Sequence, residues 1–138
     1  MKIDLPPDYT PSEQEEFMNP IQTEYFRRQL LNWRAQLIEE AENTLHALQS
    51  DSLAQPDWTD RASMETDRAL ELRTRDRARK LIVKINEALT RVEDGTYGFC
   101  EETAQPIGIR RLMARPIATL SIEAQERHER MERSHRDD

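Results

Sequence analysis

The chain has few of the residues from which compact cores, disulfides and metal clusters are built. It holds one cysteine, Cys100, in 138 residues, which excludes an internal disulfide and any metal site of several cysteines. Aromatic residues make up 6% and hydrophobic residues 36% of the chain, too few to fill a wide globular core. With three glycines, tight turns are also few. These shortages predict long, solvated helices that each bury one apolar stripe.

Long apolar runs and an excess of positive charge are missing as well. No stretch approaches the roughly 18 apolar residues of a membrane span, and the first residues lack the apolar core of a signal peptide. We therefore expect a cytoplasmic protein without membrane contact. The net charge of −7 argues against direct DNA binding, because phosphate recognition requires a basic footprint.

What is present is a helical repeat of apolar residues on either side of a proline. Apolar residues at intervals of three and four predict a first helix that ends before Gln55, because the residue before a proline avoids the α region. A second helix is predicted from about residue 60 to residue 94, and Gly95 is a natural residue just past its end. Each arm is roughly 45 to 50 Å long at about 1.5 Å per residue. Arms of similar length predict an antiparallel coiled-coil hairpin over residues 21–95, with its tip at 53–62.

Shorter segments flank the hairpin. Residues 1–20 carry four prolines and predict a leader that packs on the hairpin's base or is partly disordered, with a short helix over residues 12–17. Residues 96–120 predict a small compact segment broken by glycine and proline. Ser121 is a suitable N-cap for a last helix within residues 121–138. The predicted fold class is all-α.

Three motifs carry a resemblance to a known family. They are the tip Asp57-x-x-Asp60-x-Ala62, the second-helix run over residues 71–82 that leads to Lys84, and Ile107-Gly-Ile-Arg-Arg-Leu-x-Ala-Arg-Pro116. The chain resembles the DksA/TraR family of bacterial regulators over about residues 18–124. The resemblance implies a non-enzymatic, monomeric transcription factor that binds bacterial RNA polymerase and not DNA. Two other interpretations are a transcript-cleavage or elongation factor of similar shape and a generic coiled-coil adaptor.

The departure from the family concerns its zinc site. Typical members place four cysteines where this chain has Cys100, Thr103, Ser121 and Ala124. Three of these side chains are neither thiolate nor imidazole, so we expect a degenerate zinc-finger-like segment that binds no zinc or other metal. Cys100 has two interpretations, a redox sensor or a leftover ligand.

Further roles follow from the resemblance residue by residue. Asp57, Asp60 and Ala62 would enter the polymerase's secondary channel near the active site, although Asp57 could also only cap the second helix. Arg73 and Arg77 would contact polymerase along the arm.

The family's site for the nucleotide ppGpp, the co-effector, is matched by Lys84 and Arg115. Leu81 matches a neighbouring contact, and Arg111 is nearby in the same motif. Lysine and arginine suit a diphosphate, whereas salt bridges to nearby acids are the plainer interpretation of these charges. A further basic family position is Gln125 here, which predicts a weaker response to ppGpp.

Overall fold

The structure consists of helices joined by turns. It is a computed structural model that describes the backbone of residues 3–54 and 58–137 and the side chains of residues 3–46 and 62–135. Within those ranges it has no β-strand and four helices, which are α1 (Pro20–Ala54), α2 (Trp58–Asp94), α3 (Ile109–Ala114) and α4 (Ile122–Asp137). The all-α prediction is confirmed. None of these described helices is long and apolar enough to cross a membrane.

Local signals define where α1 begins and ends. Asn19 precedes the helix, and its Oδ1 accepts the backbone N–H of Gln22 at 2.8 Å, which is an N-cap bond. Pro20 is the first helical residue, a position where its missing N–H has no intrahelical partner to lose. The helix ends at Ala54, one residue before Gln55, which is disfavoured in the α region because Pro56 follows it.

The end of α2 is defined by Gly95. This glycine has a φ of +79°, a conformation that side-chain-bearing residues seldom adopt. Just after Gly95 in the chain, the N–H groups of Thr96 and Tyr97 both donate to the carbonyl of Arg91, at 2.9 and 3.1 Å. The carbonyl of Arg91, in the last turn of the helix, is thus satisfied as the chain turns away.

The leader, defined here as residues 3–19, forms turns. The prediction of a helix over residues 12–17 is wrong, because no residue in this range is helical. Glu15 and Asn19 donate their backbone N–H groups three residues back, to Ser12 and Glu16, which closes single turns. Met18 then has a φ of +55°, which breaks any helical continuation into α1.

The chain divides into two compact units, and the first comprises Met1–Leu30 and Glu87–Asp138. Its core includes Phe26, Leu30 and Leu112, each at most 1% exposed. Burying such a side chain contributes roughly 1.5 to 3 kcal/mol. Tyr97 is also buried, with its ring 5.8 Å from that of Phe26 and its hydroxyl donating to the carbonyl of Pro116 at 2.8 Å. Apolar packing therefore holds the segment after α2.

The second unit, Leu31–Asn86, contains the rest of α1 and most of α2. Leu37, Ala78 and Ile85 are its buried apolar residues among those with described side chains. Arg34 of α1 donates to Asn86 of α2 at 2.7 Å. Farther along α1, Leu45 lines a groove together with Arg75, which is earlier in α2. The two helices therefore run antiparallel in this unit.

Candidate functional site

The predicted tip lies mostly outside the described part of the chain. Asp57 is among the residues that the structure does not describe. Asp60 is the third residue of α2, and its side chain is also outside the described set. Ala62 lies on α2 and is exposed. The roles assigned to these three residues therefore stay predictions.

One face of α2 carries a row of exposed cationic and apolar side chains. We call this the arm row, and its members are separated by three or four residues: Leu70, Arg73, Arg77, Leu81 and Lys84. Such spacing puts side chains on one face of a helix. The three cationic members are exposed and Leu81 is half-buried. Leu70, which the sequence motifs did not single out, is 54% exposed and extends the row.

The cations of the arm row form no ion pair with another described side chain. Among the described side chains, the salt bridges involve other residues, so Arg73, Arg77 and Lys84 are unpaired there. The salt bridges considered for Lys84 from the sequence are not formed. These charges are therefore free to meet a partner.

The two arginines predicted near the base of the hairpin have different surroundings. Arg111 is half-buried, and its Nε donates to the carbonyl of Leu120 at 2.9 Å, so part of its guanidinium holds the segment before α4. Arg115 is exposed at the end of α3, where its backbone N–H donates to the carbonyl of Arg111 at 2.7 Å. Both arginines belong to the first unit, whereas Leu81 and Lys84 belong to the second.

The four positions that match zinc ligands lie close together in the first unit. The Cys100 sulfur has the Thr103 hydroxyl and the backbone of Glu102, Thr103 and Ser121 as its polar neighbours. Ser121 Oγ in turn accepts the backbone N–H of Ala124 at 3.2 Å. This bond confirms the prediction that Ser121 caps the last helix. Ala124 is fully buried.

The donor set at these positions does not fit zinc. A structural zinc takes four ligands, as a rule thiolate, imidazole or carboxylate. Here one thiol is accompanied by two hydroxyls and a methyl group, and the Ser121 hydroxyl is already used as a helix cap. Among the described residues, no group of three or more His, Cys, Asp or Glu side chains is placed to hold a metal ion.

The Cys100 thiol is unusual because it is buried and yet surrounded by donors. It is 2% exposed, and burial raises the pKa of a thiol. The hydrogen bonds from Thr103, Ser121 and Glu102 outweigh burial and lower the pKa of Cys100 from 9.0 to about 6. A thiolate is the reactive form of cysteine, but its burial limits access by oxidants. The structure thus gives Cys100 thiolate character without exposure.

Two further contacts in this unit involve side chains of α4. His128 of α4 forms an ion pair with Glu102, which lies 26 residues away in the Cys100 loop. That carboxylate raises the pKa of His128, mainly through its hydrogen bond and then through its charge. Gln125, at the position where the resemblance implies a basic residue in the family, donates from Nε2 to Glu129 at 3.3 Å. The contact between His128 and Glu102 cannot be predicted from the periodicity of the sequence, because the two residues are far apart in the chain.

Two family models together match most of the chain. The model described as DnaK suppressor protein DksA, N-terminal domain, matches residues 22–92, and the prokaryotic dksA/traR C4-type zinc finger matches residues 95–130. These two matches define the class of protein as a helical hairpin followed by a zinc-finger-type segment. The chain belongs to the DksA family.

Relatives agree with this assignment. The chain is 63% identical over 131 residues to the RNA polymerase-binding transcription factor DksA of Caulobacter vibrioides, covering 95% of this chain and 92% of that protein. It is 50% identical over 109 residues to the protein of the same name from Escherichia coli K12, covering 79% and 72%. The solved structure of transcription factor DksA2 from Pseudomonas aeruginosa superposes with a TM-score of 0.80 at 44% identity, covering 87% and 94%.

Proposed function

We propose that this chain is a non-enzymatic transcription factor that binds bacterial RNA polymerase in the cytoplasm. The observation that carries the proposal is the 63% identity to a relative that is named for this activity and is covered over 92% of its length. Such identity extends over both family segments, so it includes the arm and the base.

The arm row supports a protein partner over a nucleic acid. The chain as a whole carries a net charge of −7, so nonspecific attraction to DNA phosphates is weak. Arg73, Arg77 and Lys84 nevertheless make one face of α2 locally basic, with Leu70 exposed beside them. A partner surface of apolar residues with acidic groups complements this face, and electrostatic complementarity favours encounter and correct orientation. The polymerase would bind along this face, and this chain would act as a monomer.

The tip is the part proposed to act on transcription. Asp57, Asp60 and Ala62 would enter the secondary channel of the polymerase, with the acids near the active site. There they would change the lifetime of the promoter open complex. Promoters with short-lived complexes, such as those of ribosomal RNA, would be repressed, and some biosynthetic promoters would be activated. Asp60, as the third residue of α2, is held by a helix and not by a loop.

The nucleotide ppGpp is the proposed co-effector, bound with Leu81, Lys84, Arg111 and Arg115 at the polymerase surface. Arg115 is exposed and Arg111 has its Nε occupied by Leu120, which leaves its two terminal nitrogens for phosphate oxygens. Gln125 offers no charge, and its amide is engaged with Glu129. Losing one charge-assisted contact weakens nucleotide binding by roughly 1 to 3 kcal/mol.

The ppGpp proposal is tested with the complex of this protein and RNA polymerase. Gln125→Lys should tighten ppGpp binding by about tenfold, consistent with one recovered charge-assisted bond. Gln36→Lys, on the exposed face of α1, adds the same charge elsewhere and should change nothing. Equal ppGpp binding by Gln125→Lys and the unmodified chain would place the nucleotide elsewhere.

Independence from zinc is part of the proposal, because the residues at the four ligand positions do not suit the metal. The base would then hold its fold in zinc-depleted cells. Complementation of cells that lack a zinc-bearing family member, with and without a zinc chelator in the medium, tests this directly. The proposal requires equal complementation in both media.

Binding and regulation are separated by two substitutions. Arg77→Glu should weaken polymerase binding by about tenfold or more, because it reverses a charge on the arm row. Asp60→Asn should bind normally and lose the effect on promoters, while Asp67→Asn, an exposed acid of the same helix, should behave as the unmodified protein. A generic coiled-coil adaptor predicts that Asp60→Asn is silent. Shortened transcripts from stalled elongation complexes would instead indicate a cleavage factor.

A further inference from the structure

The leader contacts the segment that carries Cys100, one of the positions that the resemblance matches to zinc ligands. We propose that the leader is a strap that takes the place of the missing metal in holding the loop of residues 96–107, which we call the base loop. The inference goes beyond polymerase binding and does not depend on it, since it concerns how the first unit folds.

The base loop is closed by backbone bonds of its own. Cys100 donates its backbone N–H to Gln105 and Ile107 donates to Gly98, both at 2.8 Å, which closes the loop on itself. Glu101 donates to Thr119 at 2.9 Å, just before α4. In a zinc finger, metal–ligand bonds join such a loop to the helix that follows and contribute directly to folding. This chain lacks the ligands for that connection.

The leader contacts the base loop at its aromatic end. The rings of Phe17 and Phe99 meet edge to face, with centroids 5.4 Å apart and an interplanar angle of 87°. Phe99 directly precedes Cys100. Aromatic pairs in this arrangement are attractive beyond the area that they bury. One leader ring is therefore placed against the residue next to the former ligand.

The adjacent leader residue packs against backbone. A Cβ atom added at Gly98 would lie 2.9 Å from Met18 Cγ, closer than real Cβ atoms approach, and 3.3 Å from Phe17 Cζ, which is a tight contact. Gly98 also has a φ of +92°. The absence of a side chain at this position is thus what allows the leader to lie directly on the base loop.

A buried polar residue ties the other side of the leader to α1. Gln22 is fully buried, its Oε1 accepts the backbone N–H of Met18 at 2.9 Å, and its Nε2 donates to the carbonyl of Ser12 at 3.1 Å. A buried amide with both ends bonded is costly to disturb. Gln22 therefore fixes Phe17 and Met18 in the position from which they contact the base loop.

A peripheral ion pair provides an internal comparison. Glu13 of the leader pairs with Arg110 of α3 at 3.3 Å, but the two side chains are 59% and 92% exposed. Exposed pairs of this kind contribute little. If the leader acts as a strap, the contacts of Phe17 and Gln22 should matter and that of Glu13 should not.

Hydrogen exchange of the full-length protein tests the strap. Phe17→Ala should speed exchange of the Cys100, Glu101 and Ile107 amides at least tenfold, and Phe17→Leu should have a smaller effect. Exchange at Ile85, in the second unit, should not change, and Glu13→Ala should leave the base loop as it is. The milder Phe17→Leu variant decides the matter if Phe17→Ala does not fold. Unchanged base-loop exchange in the Phe17 variants would overturn the proposal.

A rebuilt metal site distinguishes two roles for the leader. Either the leader replaces zinc, or it stabilises the base loop whether or not a metal is present. The triple substitution Thr103→Cys, Ser121→Cys and Ala124→Cys supplies four cysteines with Cys100. In the zinc-loaded triple variant, Phe17→Ala should change base-loop exchange by less than about threefold, because the metal then holds the loop. The proposal that the leader replaces the metal would be contradicted by either of two results. One is a tenfold faster base-loop exchange on Phe17→Ala even with zinc bound, and the other is failure of the triple variant to bind zinc.

Discussion

Ser121 Oγ accepts the backbone N–H of Ala124 at 3.2 Å, so two of the positions that the family resemblance predicts to be zinc ligands form a helix cap in this chain. The first residue of the pair satisfies an N–H that would otherwise lack an intrahelical partner. The second supplies a small buried side chain to the core. Hydrogen bonding and packing therefore hold these two positions.

Treatment with a metal chelator should therefore leave the stability of the protein unchanged. We expect well under one zinc per chain after purification, and the same thermal melting temperature before and after treatment with a chelator. The reason is the donor set at Cys100, Thr103, Ser121 and Ala124, which lacks the required ligands. Elemental analysis and thermal unfolding check this. Stoichiometric zinc, or a chelator-dependent fall in melting temperature, would contradict it.

The helix cap predicts a defined loss of stability. Ser121→Ala should lower the free energy of unfolding by about 1 kcal/mol, because the Ala124 N–H loses its acceptor at the start of α4. Ser134→Ala, an exposed position inside the same helix, is the matched control and should be neutral or slightly stabilising. Urea unfolding measures both. Equal stabilities of the two variants would show that the cap is unimportant.

The thiol of Cys100 should titrate near pH 6. Its absorbance at 240 nm should rise through that pH, and the signal is unambiguous because the chain has no other cysteine. Burial opposes this shift, whereas hydrogen bonds from Thr103, Ser121 and Glu102 cause it. Despite its thiolate character, the buried sulfur should react slowly with alkylating agents. A midpoint near the ordinary value of 9.0 would contradict the hydrogen-bond assignment.

The same thiol makes stability depend on pH. Its pKa is lower in the folded state, so its contribution is complete above pH 9 and is lost as the pH falls toward 6. The stability of the unmodified protein relative to Cys100→Ala should therefore increase from pH 6 to pH 9. Urea unfolding at four or five pH values measures the difference. A difference that stays constant over this range would argue against a thiolate.

The ion pair between His128 and Glu102 should give a contribution of opposite sign. The carboxylate raises the pKa of His128, so the stabilisation is present below the ordinary value of 6.5 and is lost as the pH rises through the raised value. NMR titration of the imidazole should show a lower pKa in Glu102→Gln. Glu101→Gln, the adjacent acid, should leave it unchanged. Identical titration curves in both variants would remove Glu102 as the cause.

Some of the fold could be predicted because its signals are local. The cap residue Ser121 and the glycine after α2 act within a few residues of their own position, and the antiparallel packing follows from two helical stripes separated by Pro56. These features depend on backbone conformation and periodicity, which a single sequence displays.

The leader and the base loop could not be predicted in the same way. Phe17 and Phe99 are far apart in the chain, and nothing in either neighbourhood indicates the other. Gln22 is polar, so its pattern suggests exposure, yet it is fully buried because its amide satisfies the leader's backbone. The helix predicted over residues 12–17 failed because bonds to Ser12 and Glu16 close turns there.

The lifetime of the promoter open complex tests the central proposal most directly. Purified RNA polymerase is assembled on a ribosomal RNA promoter, competitor is added, and the decay of the complex is followed with and without this protein. The proposed function predicts a several-fold shorter lifetime with the unmodified chain and no shortening with Asp60→Asn, although both bind polymerase. An unchanged lifetime with polymerase fully occupied by the unmodified protein would contradict it.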